Sequence, residues 1–179
     1  MAKSEAKIKS QAVGAYGEKV VEAELLRCLW VPANVNASIK NAADFDIFAL
    51  KNGRTVHIRV KTCGPNVKEF QFNSPRGQKI VTNGFSDVDF TVLVSMGKTR
   101  NEDEFYIVPT SVVRVAVSAH REHYLAQLKR NGEKRIDNGQ WSLRLRDSNS
   151  KDPSYGFEKK WQQYKSNWLS LEHPAKQPH

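Results

Sequence analysis

The stretch Asp44-Phe45-Asp46-Ile47-Phe48-Ala49-Leu50-Lys51-Asn52-Gly53-Arg54-Thr55-Val56-His57-Ile58-Arg59-Val60-Lys61-Thr62 decides how this chain is read. Residues 45–50 and 55–62 have strand composition, and Asn52-Gly53 between them is the pair that two-residue hairpin turns favour. Two antiparallel strands are therefore expected. Side chains alternate along a strand, so His57, Arg59 and Lys61 share one face of the second strand, and Val56, Ile58 and Val60 share the other. Asp44 and Asp46 share a face of the first. Acids thus stand opposite a lysine that ends the neighbouring strand.

Working outward, Val21, Leu25 and Leu29 recur every four residues, with Val20 and Leu26 widening the stripe, which predicts a helix over 13–29. Glu18 and Glu22 lie one turn apart beside that stripe. Pro32 ends the element, and residues 33–40 read as a short edge strand. Residues 63–84 hold Gly64-Pro65, Ser74-Pro75 and Gly77, and read mostly as loop, with Lys68, Arg76 and Lys79 interleaved with Phe70 and Phe72. Residues 89–96 and 104–108 predict buried strands, and Pro109-Thr110-Ser111 opens a helix running to about Lys129. Residues 141–145 alternate like a strand. Pro153 begins a C-terminal aromatic helix whose stripe, Phe157, Trp161, Tyr164, Trp168 and Leu171, reads as core rather than as a base-stacking platform. The fold class is α/β, with a central mixed β-sheet flanked by helices. Residues 1–12 read as a flexible basic arm, 13–172 as a single domain, and 173–179 as a disordered tail.

Composition narrows the function. The chain has 179 residues, 39% of them hydrophobic and 26% charged, as in ordinary soluble domains. No apolar run approaches the roughly 18 residues of a membrane span, and the lysine-bearing start lacks an apolar signal core, which predicts a cytoplasmic protein. Cys28 and Cys63 form no C-x-x-C pair and predict reduced thiols rather than a zinc site. The net charge is +9, from 28 Lys and Arg against 19 Asp and Glu. The basic excess concentrates between Arg114 and Arg146 and reverses over 83–113. Such a balance points to a polyanionic partner, nucleic acid foremost.

Hydrolysis of a phosphodiester with a divalent metal needs carboxylates that hold the ion against a phosphate oxygen and a water. It gains from a cation facing the developing charge. Gly17-Glu18-x-x-Val21, Asp46-Ile47 and Arg59-Val60-Lys61-Thr62 together resemble the PD-(D/E)XK nuclease superfamily. The likeness is to its small members, such as archaeal Holliday-junction resolvases and restriction-endonuclease-like proteins, and covers residues 13–63. It implies a restriction-endonuclease-like core, with Glu18 as the helix acid, Asp46 as the principal metal ligand, Lys61 as the catalytic lysine and the Val60 carbonyl as a further ligand. It also implies Mg²⁺ or Mn²⁺, a DNA substrate and a homodimer.

Arg59 departs from the pattern, because it stands where the family has its second carboxylate. Three outcomes are open. The missing acid is supplied by Glu18, Glu22 or Asp44; or Arg59 grips a phosphate in a site that no longer cleaves; or Asp44, Asp46, Arg59 and Lys61 form a structural ion-pair network. His57, Arg59, Lys68, Arg76 and Lys79 are the expected nucleic-acid contacts. His120 and His123 lie one turn apart and read as a surface pair, and residues 97–100 lack the glycine pattern of a phosphate-binding loop. The leading expectation is a metal-dependent DNA endonuclease of restriction, repair or recombination type. The alternatives are a catalytically inactive relative that binds nucleic acid as a targeting or assembly subunit, and a protein-interaction module with a basic surface.

Overall fold

At the hairpin turn both Asn52 (φ 49°) and Gly53 (φ 75°) take left-handed conformations, the type I′ geometry that matches strand twist. It joins β2 (Ile47–Lys51) to β3 (Arg54–Cys63), pairing Ile47 with Ile58 and Lys51 with Arg54. The computed structural model describes residues 2–35, 45–65, 67–73, 90–149 and 151–173, with 2–9 described by their backbone. β1 (Val31–Asn34) lies antiparallel to β2. β3 runs parallel to β5 (Phe90–Ser95), which pairs antiparallel with β6 (Glu104–Pro109). The result is a mixed five-stranded sheet of order β1-β2-β3-β5-β6.

Each face of this sheet has its own core. On one face α1 (Ala2–Arg27) packs Val20, Val21 and Leu25 against Ile47, Val56, Ile58, Val92 and Ile107. The helix ends where Leu29 turns left-handed (φ 63°) and the Trp30 N–H reaches back to the Leu25 carbonyl at 2.9 Å, a common stop signal. It starts at Ala2 rather than near residue 13, because the apolar stripe marks only the part of a helix that packs. On the other face α2 (Thr110–Ala126) packs Val113 and Val117 against Leu93, Tyr106 and Val108.

That second core is completed by a two-stranded ribbon, β4 (Glu69–Asn73) paired antiparallel with β7 (Gln140–Arg144). β4 lies within the segment that composition reads as loop. Phe70 and Phe72 are not interleaved with basic residues on a surface; both are buried with Trp141 and Leu143. Alternation over five residues is short, and the flanking Gly and Pro outweighed it.

The aromatic C-terminal stretch differs from a continuous helix. It makes one helical turn, α3 (Phe157–Lys160), and two 3-10 turns, Gln162–Tyr164 and Trp168–Glu172, with Ser166 left-handed between them (φ 51°). Its anchors serve two cores: Phe157 and Trp161 enter the α2 side, whereas Leu171 and Trp168 reach the α1 side. A straight helix could not deliver side chains to both. Cys28 is half-buried and Cys63 buried, both as thiols. Among the described residues no helix is long and apolar enough to cross a membrane.

Candidate active site

β3 outlasts its neighbour. The last β2 pairing is Ile47 with Ile58, extended by a bond from Asp46 N–H to the Ile58 carbonyl at 2.9 Å. Beyond it, the Val60 N–H on that edge meets no strand. The Asp46 carboxylate takes its place, with Oδ2 accepting from Val60 N–H at 2.7 Å. A part-buried amide must find an acceptor, and an ionised one binds it more strongly than a carbonyl does. Asp46 is thereby held at the strand edge, and by strand parity the Val60 carbonyl faces that edge too.

The two helix acids meet at the end of β1. Asn34 Nδ2 donates to Glu18 Oε2 at 2.9 Å and to Glu22 Oε1 at 2.8 Å. Asn34 sits opposite Ile47, and the following N–H, from Val35, donates to the Asp46 carbonyl at 2.9 Å. Asn34 was not legible as a site residue, since nothing marks one asparagine at the end of an edge strand. α1 can come this close because Gly17 lies on Thr62: a Cβ at Gly17 would stand 1.7 Å from Thr62 Oγ1.

Between α1, the end of β3 and β4 opens a cleft of about 540 Å³, lined by Gly14, Glu18, Val60, Lys61, Glu69 and Gln71 among others. Lys61 is its cation. Burial, then the neighbouring Arg59 charge, push the Lys61 pKa below the ordinary lysine value, while the Asp46 carboxylate opposes that shift. Its Nζ lies 5.9 Å from the Phe72 ring. The strand faces are as expected: Val60 packs toward the α1 core with Val56 and Ile58, and Arg59 and Lys61 lie on the opposite face.

Other expected site residues fall elsewhere. His57 packs in tilted contact with Phe45 (centroids 4.3 Å apart) and Phe48 (5.6 Å), within an aromatic cluster rather than on the cleft lining. Lys68 lines a separate recess with Pro65, Lys98 and Glu104, and its ammonium is 3.7 Å from Glu158. Arg76, Lys79 and Asp44 lie outside the described residues. His120 and His123 do not form a surface pair. His120 is buried beside Trp141, its Nδ1 accepting from Ser142 N–H at 3.4 Å, while His123 faces Gln127. Glu69 and Gln71, which the loop reading passed over, line the cleft.

Among the described residues no group of three or more His, Cys, Asp or Glu side chains gathers as a metal site. Mg²⁺ asks for less: one or two carboxylates, with oxygens of water and phosphate filling the rest. Asp46 tied to Val60, with Val60 and Glu18 both lining the cleft, fits that smaller demand.

The sequence matches no protein-family model and no curated protein. Among solved structures, the chain is similar to the bacterial homing endonuclease I-Ssp6803I, with a TM-score of 0.52 at 12% identity, over 90% of this chain and 93% of that one. At that identity the likeness is one of fold alone, a mixed α/β architecture around a central five-stranded sheet.

Proposed function

We propose that this chain is a metal-dependent DNA endonuclease with a PD-(D/E)XK-type site. The observation that carries the reading is the cleft at the open edge of β3, where Glu18, Val60 and Lys61 meet and Asp46 is fastened to Val60. The resemblance of the motifs and the homing-endonuclease architecture support it. Asp46, Glu18 and the Val60 carbonyl would hold Mg²⁺ or Mn²⁺, which supplies Lewis-acid polarisation of the phosphate and a more acidic water. Lys61, partly desolvated, faces the charge that builds on the phosphate oxygens as water adds and the P–O bond breaks. Arg59, on the same face, would grip a flanking phosphate through its planar fork. Asn34 orients Glu18 through the hydrogen bond that its side-chain amide donates.

Arg59 favours one other reading, a DNA-binding protein of this fold that does not cut, because a cation beside the site replaces a ligand. Supercoiled, linear and branched DNA incubated with Mg²⁺ or Mn²⁺ decides between them. Cleavage lost in both Asp46→Ala and Lys61→Ala is the expected result. A wild-type protein that binds but never cuts, with cutting restored by Arg59→Glu, identifies the disabled site instead.

A further inference from the structure

The β4–β7 ribbon buries one face and exposes Gln71, Asn73 and Gln140 on the other, where the Glu69–Arg144 end is half-covered by Ser154 and Tyr155. Phe70 and Phe72 of β4, and Trp141 and Leu143 of β7, point into the second core. The outward rows are Asn73 opposite Gln140, Gln71 opposite Ser142, and Glu69 opposite Arg144. Gln71, Asn73 and Gln140 are exposed, and their side-chain amides hydrogen-bond to no described residue. Three carboxamides, each with a donor and an acceptor, thus stand in two cross-strand rows on a ribbon whose inner face is packed.

We infer that this outward face reads base edges in the major groove of duplex DNA, which the cleft beside it acts upon. The inference rests on the endonuclease reading for its substrate. A two-stranded ribbon is a width that the B-form major groove admits, and Asn and Gln amides match the donor–acceptor pair of adenine there. Rows two residues apart are spaced by about 7 Å, so the two carboxamide rows cover about three base pairs at about 3.4 Å per step. The charge is graded along the ribbon. Arg144 forms a two-pronged pair with Glu69 at 3.2 Å, which cancels the acid, and the exposed Arg146 follows beyond it as a phosphate contact. Continuity with the cleft is direct: Glu69 and Gln71 line the same opening as Glu18, Val60 and Lys61. A duplex seated on the ribbon therefore carries a backbone across the candidate site.

Selection from random duplex DNA with the full chain, in Ca²⁺ so that binding proceeds without cutting, tests this. The wild type is expected to enrich a motif that includes about three contiguous positions containing adenine. Gln71→Ala/Asn73→Ala/Gln140→Ala should lose those positions, with discrimination falling about tenfold for each contact removed. Its non-specific affinity and the slope of that affinity against log salt should not change, because no charge is removed. Its thermal midpoint should match the wild type, as all three side chains are exposed. The same motif with undiminished discrimination in the triple variant overturns the inference, as does equal competition by duplex RNA, whose deep, narrow major groove side chains do not read. If the wild type cuts DNA while the triple variant keeps the motif, only the ribbon's role falls. If the motif is lost as expected but no protein cuts, only the hydrolytic reading falls.

Discussion

Gly17→Ala is the sharpest probe of how the site is assembled. In an isolated helix this change stabilises by about 1 kcal/mol. Here the new methyl would stand 1.7 Å from Thr62 Oγ1, 2.9 Å from its Cβ and 3.1 Å from its Cγ2. Rotating Thr62 exchanges one clashing atom for another, so α1 and β3 must separate. Overpacking of this kind costs about 1–3 kcal/mol, and a contact this short belongs at the upper end. The net expectation is destabilisation by about 2 kcal/mol, with cleavage reduced because Glu18 moves with the helix. Thr62→Ala removes a buried hydroxyl that has no partner among the described residues. The relief of that hydroxyl and the loss of its methyl nearly cancel, so stability should stay within about 1 kcal/mol of the wild type. In the double variant only the Cβ contact remains, and a coupling of about 1–2 kcal/mol should appear. Urea unfolding followed by circular dichroism measures all four proteins. A Gly17→Ala protein as stable as the wild type, or more so, refutes the close helix–strand approach.

Phe70→Ala should cost about 3–5 kcal/mol in thermal or urea unfolding, the penalty for emptying a buried aromatic site; a loss under about 1 kcal/mol would mean residue 70 sits in a loop. Lys61 has a folded pKa below its unfolded value, so the unfolded chain binds that proton more readily and the penalty is fully present at neutral pH. Urea titrations from pH 7 to 10 should therefore show Lys61→Met more stable than the wild type at pH 7, with the gap narrowing as pH rises. Tyr16 donates to Asp103 at 2.5 Å, and burial first, then that bond, raise its pKa to about 12. A raised acid favours the protonated fold, so its contribution holds below about pH 10 and is lost between there and about 12. Ultraviolet titration should show one fewer late tyrosine in Tyr16→Phe, the one that remains being Tyr106, which burial also holds well above the ordinary tyrosine value.

Local patterns carried a good part of this protein. The Asn52-Gly53 hairpin, the faces of β3, the strands β5 and β6 and the packed part of α1 are all legible from periods of two and four residues, because such periods report only which side of an element is buried. They also bring Asp46 and Lys61 onto adjacent strands, since a tight turn leaves those strands no other arrangement. Partners distant along the chain are a different matter. Nothing in residues 69–73 announces that they pair with 140–144, and so Gln71 and Glu69 do not appear as cleft residues until β4 is seated beside β3. Asn34 acquires its role only when the end of β1 meets α1 and Asp46. The aromatic C-terminus has helical spacing, yet it divides because its side chains fill cores on opposite faces of the sheet. The sequence by itself determined the hairpin, its face alternation and the acid–lysine juxtaposition, each a consequence of backbone geometry within a few residues. Tertiary structure alone decided that Gly17 lets Glu18 approach the end of β3, that Asp46 locks onto Val60, and that the ribbon closes the cleft, because each depends on long-range burial that no local period encodes.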